Sequence, residues 1–444
     1  MRHAGKRRAL WGTLAFASAA VAWACVDSSF SEGQFACDPA TGGACPPGLS
    51  CASDGRCRSR DVRLPDATVD APVAETGPTD AGPDVDPCSI ATWTVAPADR
   101  GPGALAVDDA GRLFVGGTAG DAGWIAELDA CDGGTIRERV FGIDAGTLPS
   151  VQDIVLTGDE IVVTGALDDA RSGFFARFSK STFTASSEAA FDGGGGIAGF
   201  DAIARTSDGA FVLGGAKDIF APTMSGWLAR IDPGGSCTTT TGSSVAGVIP
   251  SNGDKAVVFT GTSGDKQVEL RTIGAGCALG PVQVAPFPAG SEGGPSVVTG
   301  PLSSPVMVGA YGPKVDGGGY DWGLVGSIVG TTLTIAPPID PNPGRVDIVQ
   351  RAVVDGDQVF LAVLQNASLT GGTPTLLRYS LPLGPASKPT LTTGIFGGQL
   401  VAFRGMKTHP APPAGDDALF IAGPKPGTRA SGAITRCRKS TGCR

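Results

Sequence analysis

Residues 104–133 read ALAVDDAGRLFVGGTAGDAGWIAELDACDG. An apolar run is followed by an Asp/Gly turn, a second apolar run, a loop, and a third run that opens on Trp124. Asp-Gly and Gly-Asp pairs between apolar runs suit tight hairpin turns, because those positions need positive φ. The same order returns as DIVLTGDEIVVTGALDDARSGFFARF at 153–178, as AIARTSDGAFVLGGAKDIFAPTMSGWLARID at 202–232, and more loosely beyond. The second runs close at Gly117, Gly165, Gly215, Gly261, Ala310, Val363 and Gly423, in steps of 48, 50, 46, 49, 53 and 60 residues. A unit of strands and turns with no helical period cannot bury its own apolar face, so its copies must stack around a common axis. Seven copies of roughly 51 residues, each long enough for four strands, predict an all-β, seven-bladed β-propeller over residues 88–444.

The stretch SIATWTVAP at 89–97 precedes the first copy and has no inner partner of its own. It is expected to complete the last blade beside residues 430–437 and so remove an open sheet edge. The phrase Asp109-Ala110-Gly111-Arg112-Leu113-Phe114-Val115-Gly116-Gly117-Thr118 resembles the bacterial propeller-repeat family called SBBP, and so does the run from Asp208-Gly209 to Gly215. That resemblance implies a seven-bladed propeller in an extracytoplasmic setting and carries no activity.

Upstream, Arg2, Lys6, Arg7 and Arg8 precede an apolar run from Ala9 through Val21, then Ala22-Trp23-Ala24 before Cys25. This is the pattern of an export signal over residues 1–24. Ala24-Cys25 resembles a bacterial lipobox, with Ala22 and Trp23 departing from it; lipidation of Cys25 and ordinary cleavage that leaves a thiol are the two readings. Eleven cysteines in an exported chain imply disulfides, and a lipidated Cys25 leaves ten, an even set. Val26 follows Cys25, so the Asp that marks inner-membrane retention in enteric lipoproteins is absent there, and an outer-membrane or cell-surface lipoprotein, otherwise a secreted protein, is expected.

Cys37, Cys45, Cys51 and Cys57 lie within residues 25–58, in a stretch too short for a core, which cross-links must hold. Cys45-Pro46-Pro47-Gly48-Leu49-Ser50-Cys51 and Asp54-Gly55-Arg56-Cys57 resemble the tail of an epidermal-growth-factor-like (EGF-like) module. Of the three connectivities, Cys37 to Cys51 with Cys45 to Cys57 is preferred, and a zinc site lacks the ligand gap and a nearby His. Residues 59–87, rich in Asp, Pro, Thr and Ala, read as a disordered spacer. In the body, Cys237 with Cys277, Cys437 with Cys443 and Cys88 with Cys131 are the expected pairs.

The chain carries 34 basic and 43 acidic residues, and loss of the four leader cations leaves a mature balance of −13. Nucleic acid is therefore not an expected partner. The basic C-terminus, with Arg429, Arg436, Arg438, Lys439 and Arg444, reads as a solvated tail. One histidine remains beyond the leader, His409, in a Pro-rich stretch, too little for a histidine-based metal site or triad. Neither a metal nor a cofactor is expected. Trp124, Phe174, Trp227 and Trp322 recur at one blade position and read as packing between blades, not as a sugar platform. The Asp/Gly turns at Asp108-Asp109, Gly158-Asp159, Asp208-Gly209, Gly253-Asp254 and Asp355-Gly356-Asp357 lack the spaced pattern of a calcium loop.

Propeller ligands sit at the mouth formed by inner-strand ends. The inner-strand polar residues Asp153, Asp201, Gln350 and Arg404 are the ligand-binding candidates, with a wet axial lining as the plain alternative. The leading expectation is a monomeric, non-enzymatic binding or interaction module at the cell envelope, with a protein or glycan partner and membrane contact through the N-terminal lipid. A glycan- or polymer-acting hydrolase or lyase with axial carboxylates and a purely structural envelope protein are the alternatives.

Overall fold

The structure is a computed structural model, and it describes residues 49–51, 57–59 and 92–443 apart from 144–148, 168–171, 195–197, 218–223, 252–254, 262–265, 290, 314–321, 338–347, 369–370, 395–404, 409–417 and 425–431. The chain divides into two compact units, Met1–Val85 and Asp86–Arg444. In the first, Leu49–Cys51 pairs antiparallel with Cys57–Ser59, and Cys51 stands opposite Cys57. The expected export signal over residues 1–24, Cys25, Cys37, Cys45 and nearly all of the expected spacer lie outside the described residues.

The second unit is a ring of seven four-stranded antiparallel sheets. From inner to outer strand, blade 1 is Arg100–Val107, Leu113–Ala119, Ala122–Leu128 and Thr135–Phe141. Blade 2 is Pro149–Leu156, Glu160–Leu167, Ser172–Ser179 and Ala185–Asp192, and blade 3 is Ala198–Arg205, Phe211–Lys217, Ser225–Asp232 and Gly235–Thr241. Blades 4 and 5 begin with Val245–Pro250 and Ser291–Thr299 and end with Gln283–Pro286 and Thr332–Ile335. Blade 6 begins with Ile348–Asp355, and blade 7 with Gly405–Thr408. Each inner strand packs beside the next, and that of blade 7 returns to that of blade 1.

Blade 7 is finished by the N-terminal strand Trp93–Val95, paired to Gly432–Arg438 with Trp93 opposite Arg436 and Val95 opposite Ile434. This is the closure expected from the unpartnered 89–97 stretch. The edge of the last hairpin is covered by the other end of the chain, which spares the ring an exposed ladder of N–H and C=O groups.

The apolar side chains form seven cores, one per junction between neighbouring blades. Ala104, Phe114 and Phe141 of blade 1 meet Val151, Phe174 and Phe178 of blade 2, and Phe175 of blade 2 meets Phe200 and Trp227 of blade 3. The remaining cores join blades 3 and 4, 4 and 5, 5 and 6, and 6 and 7. At the closing junction, Leu105 and Trp124 of blade 1 pack on Phe420 and Ile434 of blade 7. A hairpin thus has no core until its neighbour arrives, and this is the physical reason for the repeat. Burial also explains the sequence texture. In blade 1 the first three strands are buried nearly throughout and read as unbroken apolar runs, whereas Thr135–Phe141 alternates exposed and covered residues.

A β-bulge recurs in the inner strand of blades 1 to 6, at Gly103, Gln152, Asp201, Ala246, Ser296 and Gln350. The residue just before each bulge faces Gly117, Gly165, Gly215, Thr260, Gly309 and Val363. The repeat is therefore measured from Thr260 and Gly309 in blades 4 and 5, one residue earlier than Gly261 and Ala310. A bulge lets two residues share one partner, and the apolar pattern alone does not show which residue that partner is. The aromatic position needs a similar adjustment: Trp124, Phe174 and Trp227 stand opposite Gly117, Gly165 and Gly215, but Gly309 faces Leu324, and Trp322 lies two residues earlier.

Thr260 is fully buried and its Oγ1 has no hydrogen-bond partner among the described residues. Replacing Thr260 with Val keeps the shape and removes an orphaned hydroxyl, so a stabilisation of about 1 kcal/mol is expected. Urea unfolding measures it, and a destabilised variant would show that the hydroxyl is satisfied.

Disulfides join Cys237 to Cys277, tying the outer strand of blade 3 to the turn after the third strand of blade 4, and Cys437 to Cys443, closing a loop at the C-terminal end. Both pairs are those expected from the sequence. Cys131 is also disulfide-bonded, and Cys88 lies outside the described residues.

Candidate functional site

Three of the turn carboxylates, Asp108, Asp208 and Asp355, are engaged by the fold. Asp108 accepts hydrogen bonds from the backbone N–H groups of Ala110 and Arg112 and from the Arg112 guanidinium, and it lies 3.7 Å from the buried Lys180 ammonium of blade 2. The equivalent Asp355 of blade 6 pairs at 2.6 Å with Lys439, which follows the third strand of blade 7 as Lys180 does in blade 2. In blade 3, Asp208 and Asp232 each meet the fully buried Arg230 at 2.8 Å. Residues 252–254, and with them Gly253-Asp254, lie outside the described residues. Among the described residues no group of three or more His, Cys, Asp or Glu side chains is arranged to hold a metal ion.

These contacts set the acid stability. Burial works to raise the Asp108 carboxyl, but the N–H and guanidinium of Arg112 together with Lys180 hold it below the usual range. Arg100, then Trp124, lower Glu138, and the Thr206 hydroxyl, the backbone N–H of Ala210 and Arg230 lower Asp208. A carboxyl lowered by folding contributes stability above its unfolded value and loses it as the pH falls through the folded one. The melting temperature is therefore expected to drop between about pH 5 and the region below about 4, and Asp108→Asn should flatten that drop. Thermal melts across this range check it; an unchanged slope in the variant would remove Asp108 from the account.

Asp153 behaves in the opposite sense. It follows the bulge in the inner strand of blade 2, where Oδ1 accepts from the backbone N–H of Ile154 and Oδ2 from that of Ile203 on blade 3, both at 2.9 Å. The carboxylate thus clips two inner strands together while keeping partial solvent contact. Burial among protein atoms raises its pKa, and Lys407, the two N–H groups and Arg351 only partly oppose this. Its contribution to stability is present at low pH and is lost as the pH rises through the raised value.

Lys407 belongs to the inner strand of blade 7 and Arg351 to that of blade 6, so cations from two other blades act on the Asp153 carboxylate. Gln350, the bulge residue of blade 6, is half-buried, and its backbone carbonyl accepts from Arg351 Nη1 at 2.8 Å. Asp201 is the bulge residue of blade 3 and is exposed. Arg404 lies outside the described residues, as does His409. Of the four expected site residues, Asp153 is brought into a charge cluster and Gln350 adjoins it, while Arg351 and Lys407 are the members sequence reasoning missed. The available signal was position: Arg351 follows a bulge residue as Asp153 does.

Trp124, Phe174 and Trp227 are buried, in keeping with packing between blades. Trp227 stacks on Phe200 at 4.4 Å, and Trp124 donates from Nε1 to Glu138 at 2.7 Å.

No family model matches the chain, and no curated protein sequence matches it significantly. Solved structures do match its shape. A hydrazine synthase from Kuenenia stuttgartiensis is 13% identical with a TM-score of 0.53, and the alignment covers 78% of this chain and 98% of that one. A catalytically inactive virginiamycin B lyase from Staphylococcus aureus, solved with quinupristin, is 11% identical with a TM-score of 0.46, covering 78% and 99%. A prolyl endopeptidase is 13% identical with a TM-score of 0.42, covering 76% and 46%. At such identities the likeness is one of fold, and a shared fold does not carry an activity.

Proposed function

We propose that this chain is an exported, non-enzymatic binding module at the cell envelope, held there by a lipid on Cys25 or released by cleavage, whose propeller takes a protein or glycan ligand at the axis. The hairpin phrases shared with the SBBP repeats, the leader pattern and the EGF-like cysteine phrases support the extracytoplasmic setting, and the disulfides of the body suit an oxidising compartment. The observation that carries the reading is that cations on the inner strands of blades 6 and 7, Arg351 and Lys407, act on the inner-strand carboxylate of Asp153 in blade 2. Propeller ligands usually sit where inner-strand ends bring polar side chains together around the axis.

A glycan array probed with the mature protein, beside Asp153→Asn and Gln350→Ala, tests it. A hit weakened at least about fivefold by either variant is the expected result, and hits unchanged in both would place binding elsewhere. Mass spectrometry of the mature N-terminus separates lipid from free thiol at Cys25.

The raised Asp153 carboxyl favours one second reading, a hydrolase or lyase in which Asp153 supplies a proton. That reading requires turnover of a polymer by the wild type and its loss in Asp153→Asn.

A further inference from the structure

Six of the seven junction cores hold an aromatic ring, Phe114, Phe200, Phe259, Tyr379, Phe360 and Trp124 among them. The core between blades 3 and 4 is built of Ala, Val, Leu, Ile and Cys alone among the described residues. The difference lies at the repeat position where Gly117, Gly165 and Gly215 face Trp124, Phe174 and Trp227, because blade 4 has Thr260 facing Glu269 there. Val258 and Ile273 belong to the core shared with blade 3, so the alternation of a strand turns Thr260 and Arg271 toward the same junction. Thr260 Oγ1 and Arg271 Nε are buried there without a hydrogen-bond partner among the described residues. Orphaned polar groups and missing ring contacts both weaken cohesion. This junction is also the one that Cys237–Cys277 crosses. In blades 2 and 7 the turn after the third strand grips the preceding blade through an ion pair, Lys180 on Asp108 and Lys439 on Asp355. In blade 4, Cys277 makes that connection covalently. Cys277 stands at φ 58° beside Gly276 at φ 60°. A left-handed backbone is strained for a residue that carries a Cβ, and it persists where its surroundings hold it.

We infer that Cys237–Cys277 is a redox latch on the weakest seam of the ring, a site of reversible reduction by a dithiol reductant. Cys237 is half-buried and Cys277 buried, so the thiolate of the reductant attacks the Cys237 sulfur. The S–S bond breaks, its electron pair stays on Cys277 Sγ, and that thiolate takes up a proton. The second thiol of the reductant then attacks the mixed disulfide and releases Cys237 as a thiol. The protein has gained two electrons and two protons, and the reductant leaves as its disulfide. Freed of the cross-link, the Cys277 turn relaxes, and blades 3 and 4 part before any other pair. The latch joins the outer strand of blade 3 to a turn of blade 4, and its opening does not depend on a ligand at the axis.

Stepwise reduction of the mature protein with dithiothreitol, read by alkylation with peptide mapping and by hydrogen exchange, tests the inference. Cys237 and Cys277 should be alkylated before Cys437 and Cys443, at dithiol concentrations that leave the protein folded. Amide exchange in Val245–Pro250 and Gln267–Ile273 of blade 4 should then accelerate at least about tenfold, while Leu113–Ala119 of blade 1 and Glu160–Leu167 of blade 2 stay protected. Oxidised glutathione should restore the starting rates. Thr260→Val should recover part of the protection in the reduced protein, because it removes an orphaned hydroxyl from the seam. The double variant Cys237→Ser with Cys277→Ser should exchange as the reduced wild type does and ignore the dithiol. Reduction of both disulfides together, reduction only on global unfolding, exchange that rises equally in all blades, or exchange unchanged after reduction overturns the latch. So does a Thr260→Val protein without any recovery, or a failure of oxidised glutathione to reverse the change. Reduction of the wild type decides the matter even where the double variant does not fold.

Discussion

Placing valine at Gly165 is expected to destabilise the propeller by about 3 kcal/mol or more, enough to prevent accumulation of folded protein at about 37 °C. A Cβ on Gly165 would stand 1.9 Å from the carbonyl oxygen of Ser150 and 3.0 Å from the ring of Phe174. Neither neighbour can yield cheaply. Ser150 lies two residues before the bulge in the inner strand of blade 2, and Phe174 is fully buried in the core shared with blade 1. Relief therefore requires moving backbone that two blades pack against, and close-packed interiors transmit such a shift instead of absorbing it. The same approach recurs at Gly117, 2.0 Å from the Gly101 carbonyl oxygen, and at Gly215, 1.9 Å from that of Gly199. Gly158→Ala, where a new Cβ meets nothing within 4 Å, is the control and should stay within about 0.5 kcal/mol of wild type. Urea and thermal unfolding compare them; a Gly165→Val protein as stable as the control would refute the steric account.

The glycine argument also marks the limit of what the sequence disclosed. Turn pairs and apolar runs announced the hairpins, because a positive φ in a tight turn and burial on both faces each restrict residue type. Seven junction cores then followed from the shallowness of each hairpin. The strand at Trp93–Val95 and the bonds Cys237–Cys277 and Cys437–Cys443 were legible for a related reason, since equivalent positions in adjacent blades lie close together. Register was not legible at the bulges. An inserted residue shifts the two-residue period, so the sequence pattern points to Gln350 and not to its neighbour Arg351, and to Gly261 where the structure has Thr260. Position also fails to dictate glycine everywhere, as Thr260 and Val363 occupy the equivalent place in blades 4 and 6, opposite Glu269 and Thr375. The charge cluster was half-hidden because its members lie far apart in the chain, and only ring closure brings Asp153, Arg351 and Lys407 within electrostatic reach. Nothing local in sequence encodes a meeting of blades 2, 6 and 7.

Closure itself yields the other large effect. A chain beginning at Ala98 should self-associate more than one beginning at Thr92, although both lack Cys88 and everything before it. The six residues between them hold the strand Trp93–Val95, whose contribution exceeds its length. Trp93 donates from Nε1 to the carbonyl of Ala130 at 3.2 Å and lies 6.1 Å from the Phe420 ring, so it bridges blade 1 and blade 7. Thr435 Oγ1 donates to the Trp93 carbonyl at 2.8 Å and lies 2.9 Å from Thr94 Oγ1, and Val95 packs into the closing core. Without them the strand Gly432–Arg438 becomes an open edge able to pair with another molecule. The lost packing alone is worth about 3 kcal/mol. Trp93→Ala in the full chain should reproduce much of that loss without removing the strand's backbone pairing, which separates packing from edge exposure. Light scattering and thermal melts decide it. Identical particle sizes and identical melting points for the chains starting at Thr92 and Ala98 would mean that blade 7 is complete without its N-terminal strand.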